Sequence, residues 1–242
     1  MPSHIDCYLD CGAPFFCPDQ HPLQRPPASL YSFFAFLHLC KIRPQLASHG
    51  VSFECVASVV VLIQSLSGNE PPWTLPAKAA YMELDIARTA RYHGVSGVAQ
   101  PAFFPASTVM AQRILCYVKA TFPQPAFEQT LLSFFRSLWV LPHADISKPD
   151  VVRGVLDELN LYSDAQVDAI LTAPAQKEWK DCLTSNTRRV VELGAFGAPW
   201  MWVQDGNGKE EPFFGSDRFH FIWEFLGLPW QESGLLTPTS KL

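Results

Sequence analysis

The stretch that most constrains this chain is Gly194-Ala195-Phe196-Gly197-Ala198-Pro199, followed by Trp200-Met201-Trp202-Val203. Two glycines and a proline within six residues cannot continue the helix that Lys177 to Leu193 predicts, so the chain must turn a corner there. The apolar run after Pro199 predicts a buried strand, and Asp205-Gly206-Asn207-Gly208 predicts a hairpin that returns through Pro212-Phe213-Phe214. An X-Pro bond is the one peptide bond whose cis form is cheap. A cis Ala198-Pro199 bond would turn the backbone N–H and C=O before it outward, toward a peptide-like ligand. Gly215-Ser216-Asp217-Arg218 then precedes a helix-like run through Phe219, Phe221, Ile222, Phe225 and Leu226. Ser216 is a natural N-cap whose helix N–H groups would favour a carboxylate, and Asp217 could pair with an ammonium. Taken alone, Ser216-Asp217 reads more often as a capped helix than as a site.

The rest of the chain is read in order. His4 to Asp10 alternates Ile5, Cys7 and Leu9 against polar neighbours, a half-buried first strand. Gly12 to Pro27 holds five prolines and no periodic pattern, an irregular insertion. Leu30 to Cys40 is apolar on nearly all sides, as a helix buried between layers would be. Val51 to Ile63 predicts the second strand running into a connection. From Ala77 to Leu193 the signals are helical: Ala79 to Tyr92, Thr108 to Ala120, a helix opened by Pro125, another from Pro149 through Leu159, and a Ser163/Gln166 capping box. Glu83, Asp85, Arg88 and Arg91 read as a solvated face. Trp202, Trp223 and Trp230 could line a site, although tryptophans are more often core.

Gly-Ala-Phe-Gly-x-Pro followed by Phe-Gly-Ser-Asp-Arg resembles the glutathione site of kappa-class glutathione transferases and the related 2-hydroxychromene-2-carboxylate isomerases, a DsbA-like group. A second anchor is Tyr8-Leu9-Asp10-Cys11 joined to Ser29-Leu30-Tyr31-Ser32-Phe33 once the insertion at 12–27 is set aside; Leu30 stands where the family has proline. A rival register puts Ala13-Pro14-Phe15-Phe16 on that motif, which supplies the proline but no hydroxyl. Asn69, in Ser67-Gly68-Asn69-Glu70-Pro71-Pro72, matches a family residue that touches glutathione, and equally suits a Gly-Asn turn. The resemblance implies a thioredoxin-like α/β fold with an all-helical domain inserted between the second strand and the cis-Pro strand. Its parts would be 1–74 and 179–242 for the thioredoxin-like domain and 75–178 for the insertion. It also implies glutathione as co-substrate, Ser29 as the hydroxyl that activates its sulfur, and Asn69, Ala198, Pro199, Ser216 and Asp217 as the residues that hold the peptide. The partners implied are a small electrophile or peroxide and a second copy of the chain. Isomerase chemistry, or glutathione binding without turnover, stays open beside transfer.

Composition excludes several classes. A net charge of −5 over 242 residues, with no cluster of Lys and Arg, argues against a nucleic-acid surface. No secretory leader is expected from Met1 to Asp6, and no apolar run is long enough to span a bilayer. Seven cysteines without Cys-x-x-Cys argue against a disulfide oxidoreductase of the thioredoxin kind. His4, Cys7, Cys11, Cys17 and His21 match no zinc-finger spacing, so no metal is expected and buried or incidental thiols are the default. Ser240-Lys241-Leu242 reads as a peroxisomal import tripeptide recognised by a receptor, with cytoplasm or mitochondrion as alternatives.

Overall fold

The computed structural model describes residues 2–12, 30–104 and 106–231. Ser29, the stretch 13–27 and Ser240-Lys241-Leu242 lie outside the described residues. Four strands form one mixed sheet in the order β2-β1-β3-β4. Strand β1 (Ser3–Leu9) pairs in parallel with β2 (Val51–Ala57), Ser3 opposite Val51, and antiparallel with β3 (Trp200–Gln204), Tyr8 opposite Trp200. The hairpin closes as expected: β3 runs antiparallel to β4 (Glu210–Phe214), and Asp205 Oδ1 accepts the N–H groups of Asn207 and Lys209 at 2.8 Å. The parallel β1/β2 pair requires a crossover, which α1 (Leu30–Ser48) supplies. That helix runs a further two turns beyond Cys40 because Ile42 and Leu46 continue its packed face.

The second strand ends earlier than the valine-rich sequence predicts. Val60–Ser67 is a helix, α2, not a continuation of β2. Long-range contacts override the β-propensity of Val59-Val60-Val61: the Val59 N–H donates to Thr187 Oγ1 at 3.2 Å and the Val60 N–H to Asp10 Oδ2 at 2.8 Å. Two of the four free N–H groups at that helix start are thus satisfied from other elements. Gly68, at φ 74°, ends it in the left-handed region.

Between α2 and β3 the chain is helical: α3 (Pro76–Tyr92), α4 (Val109–Thr121), α5 (Gln124–Trp139), α6 (Pro149–Leu159), α7 (Asp164–Thr172) and α8 (Lys177–Glu192). The Ser163/Gln166 capping box is formed at the head of α7. A single large core joins sheet and helices. Phe33 of α1 stacks on Phe135 of α5 with centroids 5.1 Å apart, both rings fully buried. The chain closes with α9 (Phe219–Phe225). Arg218, not Ser216, holds its cap position, and no side chain caps it. Ser216 falls short because Gly215, at φ 100°, and the two residues after it form a bend before helical geometry begins.

At the end of β1 lies a polar cluster. Asp10 is fully buried and accepts from the Gly12 and Val60 N–H groups and from Gln112 Nε2 (2.9 Å), while the Thr108 hydroxyl lies 2.9 Å from Oδ1. Burial pushes its carboxyl up to about 6 against the pull of those four donors. Trp139 Nε1 donates to the Cys11 carbonyl at 2.7 Å, and the Thr108 hydroxyl also reaches the Gly12 carbonyl at 2.5 Å.

Candidate active site

The corner after α8 is shaped by glycines that cannot be replaced cheaply. Gly194, at φ 88°, lets the chain leave α8, and a Cβ on Gly197 would approach the Phe214 ring to 3.0 Å. Phe196, Trp200 and Phe214 pack there as a ring cluster, with Phe196 and Phe214 centroids 4.6 Å apart. The Ala198-Pro199 bond is cis, and the Pro199 carbonyl accepts the Gly215 N–H at 3.1 Å. This bond fixes the proline strand beside the Gly-Ser-Asp bend. Asn69 joins them, its Nδ2 donating to the Phe196 carbonyl at 2.7 Å.

These pieces border one cleft of about 1280 Å³. Asn69, Ala198, Pro199, Ser216 and Asp217 all line it, so the structure brings together five of the six residues singled out from the sequence. The sixth, Ser29, lies outside the described residues; Leu30 beyond it begins α1, and Tyr31 in that first turn lines the cleft. Asp217 is exposed and carries an ion pair with its neighbour, Arg218 Nη1 at 2.9 Å.

The far wall was not legible as a site. His38 of α1 stacks on Phe219 at 4.1 Å between centroids, and Phe219 stacks on Trp223 at 5.8 Å. Burial, with His93 and Lys41 nearby, pushes the His38 imidazole down to about 4, so it is neutral at pH 7. Its Nε2 is buried without a partner among the described residues, as is Oε1 of Gln64, which also borders the cleft. Asp85 and Arg88 correct the expectation of a solvated face. Both line the cleft, and Asp85 accepts a 2.6 Å hydrogen bond from the Tyr31 hydroxyl. Burial and that carboxylate push the Tyr31 hydroxyl well up. Lys78 adds a cation near the Asn69 end, with no acidic partner among the described residues. Trp223 and Trp230 line the cleft; Trp202 does not. The available signal was His38, a titratable residue within the mostly apolar stretch Leu30 to Cys40.

Residues 28–227 match the family of DsbA-like thioredoxin domains. The chain is 30% identical over 173 residues to glutathione S-transferase kappa 2 of Caenorhabditis elegans, covering 66% of this chain and 71% of that protein. It belongs to the DsbA-like thioredoxin family, within the kappa class of glutathione S-transferases. Kappa 1 of the same organism is 29% identical over 205 residues, covering 83% of this chain and 88% of that one. Among solved structures, a 2-hydroxychromene-2-carboxylate isomerase superposes with a TM-score of 0.67 at 18% identity, over 93% of this chain and 94% of the other, a likeness of fold. The kappa-class assignment agrees with the thioredoxin-like sheet and its helical insertion. Among the described residues no three His, Cys, Asp or Glu side chains converge as metal ligands, and no helix is long and apolar enough to cross a membrane. Cys17 and His21 lie outside the described residues.

Proposed function

We propose that this chain is a glutathione transferase that ionises the glutathione thiol through Ser29 and delivers the thiolate to an electrophile held against the His38 wall. The observation that carries this is the convergence of Asn69, Ala198, Pro199, Ser216 and Asp217 on one cleft at the first turn of α1. Peptide recognition falls to the Ala198 backbone, and Asp217 takes the ligand ammonium in competition with Arg218. Lys78 and Ser216 supply a cation and a hydroxyl for carboxylates. A hydroxyl donating to sulfur favours thiolate over thiol, and each unit of lowered pKa is worth about 1.4 kcal/mol. The thiolate then forms a C–S bond as the leaving group departs with its electron pair.

Ser29→Ala tests the reading. With a chlorodinitroarene as electrophile, kcat should fall at least tenfold while glutathione affinity changes little. Unchanged kcat would remove Ser29 from the mechanism. Glutathione-dependent isomerisation of a chromene carboxylate is a second reading, favoured by the aromatic His38-Phe219-Trp223 wall and by Arg88 as a partner for a carboxylate. Assaying both substrates separates the two. Pairing into a homodimer and import through Ser240-Lys241-Leu242 belong to the same proposal. Sedimentation and the location of an amino-terminal fluorescent fusion test them.

A further inference from the structure

Seven cysteines without Cys-x-x-Cys leave the thiols without an assigned purpose, and besides Cys7 and Cys55, which face each other across β1 and β2, two more lie together. Cys116 lies in α4 and Cys182 in α8, helices that pack against each other. Asn186, one turn after Cys182, has its Nδ2 3.9 Å from both sulfur atoms, and the same nitrogen donates to the Ala57 carbonyl at 3.2 Å. That anchor fixes the amide at the end of β2 and holds the two thiols side by side under it. Cys116 is buried at 4% exposure, whereas Cys182 is partly open. Lys119, one turn along α4, adds positive charge, opposed at Cys182 by Glu178. Each thiol is influenced most strongly by the other: Cys182 is held down and Cys116 is pushed up. The remaining described thiols differ. Cys7, Cys11 and Cys55 are buried, and burial pushes all three up, as it does the half-buried Cys40. An open thiolate beside a buried thiol is the arrangement of an attacking and a resolving cysteine.

We propose that Cys182 and Cys116 form a second reactive centre, outside the glutathione cleft, that takes small hydroperoxides and closes to a disulfide between α4 and α8. The Cys182 thiolate attacks the terminal oxygen of the peroxide. The O–O bond breaks, an S–O bond forms, and the leaving hydroxide or alkoxide takes up a proton to give water or an alcohol. The Cys116 sulfur then attacks Cys182 sulfur, forming S–S and breaking S–O. The departing hydroxide takes the Cys116 proton and leaves as water. Two thiols lose two electrons in all, and one peroxide gains them.

The test uses the full chain, fully reduced, desalted and exposed to one equivalent of hydrogen peroxide at pH 7.5. Free thiols are then blocked by alkylation and the peptides mapped by mass. The expected product is a Cys116–Cys182 linked peptide pair lacking two hydrogens, lost again on dithiothreitol treatment, with Cys182 oxidised at least about tenfold faster than Cys40. Cys116→Ser should convert that product to a Cys182 sulfenic acid trapped by dimedone. A Cys182 that stays reduced while Cys40 reacts, that proceeds to sulfinic acid in the native chain, or that links to another molecule would overturn the proposal. Should the serine variant fail to fold, the map of the native chain decides alone.

Discussion

The cluster around Asp10 and the cleft around His38 are both polar, and both sit at an edge of the same core, yet they are finished differently. At Asp10 four donors meet one carboxylate, from β1's own continuation, α2 and α4. The single unmatched atom there is Gln112 Oε1. In the cleft, His38 Nε2 and Gln64 Oε1 have no partner among the described residues, and Asn69 and Asp217 bond only to nearby backbone or a neighbouring side chain. A buried polar group without a partner costs free energy, so each region had to be resolved. The first was resolved within the chain and fixes the junction of strand and helix. In the second the polar groups border the cleft to which the proposed function assigns glutathione and its co-substrate.

The largest test of that contrast removes the acceptor. Asp10→Ala takes the acceptor from the Val60 and Gly12 N–H groups, while the Gln112 amide keeps the Ser58 and Leu9 carbonyls and the Thr108 hydroxyl keeps the Gly12 carbonyl. Urea unfolding at pH 7 should show a loss of about 2–4 kcal/mol, since ending the desolvation of the charge offsets only part of the cost of two orphaned buried N–H groups. A loss below about 1 kcal/mol would mean that the cluster does not hold the junction.

Acid separates the regions next, because the two groups have opposite signs. Asp10, raised to about 6, stays protonated in the folded state at pH values where the unfolded chain has ionised. Its contribution is therefore fully present below about pH 4 and is lost as pH rises to 6, a change of about 3 kcal/mol. His38, lowered to about 4, stays neutral in the folded state where the unfolded imidazole takes a proton. Its contribution is present above about pH 6.5 and lost as pH falls toward 4, about 2 kcal/mol after allowance for partial solvent access. Between pH 6 and 4 these two contributions therefore largely offset each other in the native chain. His38→Phe should instead gain stability on acidification. Parallel unfolding midpoints for the two proteins across that range would refute the opposition.

Gly215→Ala probes how tightly the cleft's own backbone is specified. At φ 100° any side chain is strained, and the added Cβ would lie 2.9 Å from Asp217 Oδ1. Thermal unfolding should report a loss of about 1–2 kcal/mol, and the KM for glutathione should rise because Asp217 is displaced. The smallest effect is expected from Asp217→Asn, which leaves the melting temperature unchanged and raises the glutathione KM about threefold to tenfold with kcat nearly constant. A change in stability with no change in KM would move Asp217 from the cleft to the frame.

The same contrast explains what could be read from the sequence. The hairpin, the Pro199 corner and the α7 cap depend on residues close in sequence, so their signals are local and legible. Ser216 and Asp217 were found for the same reason, although the helix they precede begins two residues later than Ser216 as its cap suggests. Helix α2 was missed because its valines describe a strand, and what makes it helical arrives from Asp10 and Thr187, which are 50 and 128 residues away from their partners. His38, Tyr31 and Asp85 were missed as site residues because neither the stacking of His38 on Phe219 nor the Tyr31–Asp85 bond exists until α1, α3 and α9 have docked.

Gly12 has a bearing on how this chain could come to carry extra length. A Cβ there would fall 2.5 Å from Leu138 Cδ2 and 2.8 Å from Thr108 Cγ2, and its carbonyl and that of Cys11 are both held by side chains from the helical insertion. On the other side Leu30, the first residue of α1, is fully buried. Each rim of the 13–29 stretch is therefore clamped by partners of its own, so neither relies on the other for its position. The entropy of closing a connection between two such rims grows only with the logarithm of its length, whereas an edit that reaches Gly12 cuts into the core.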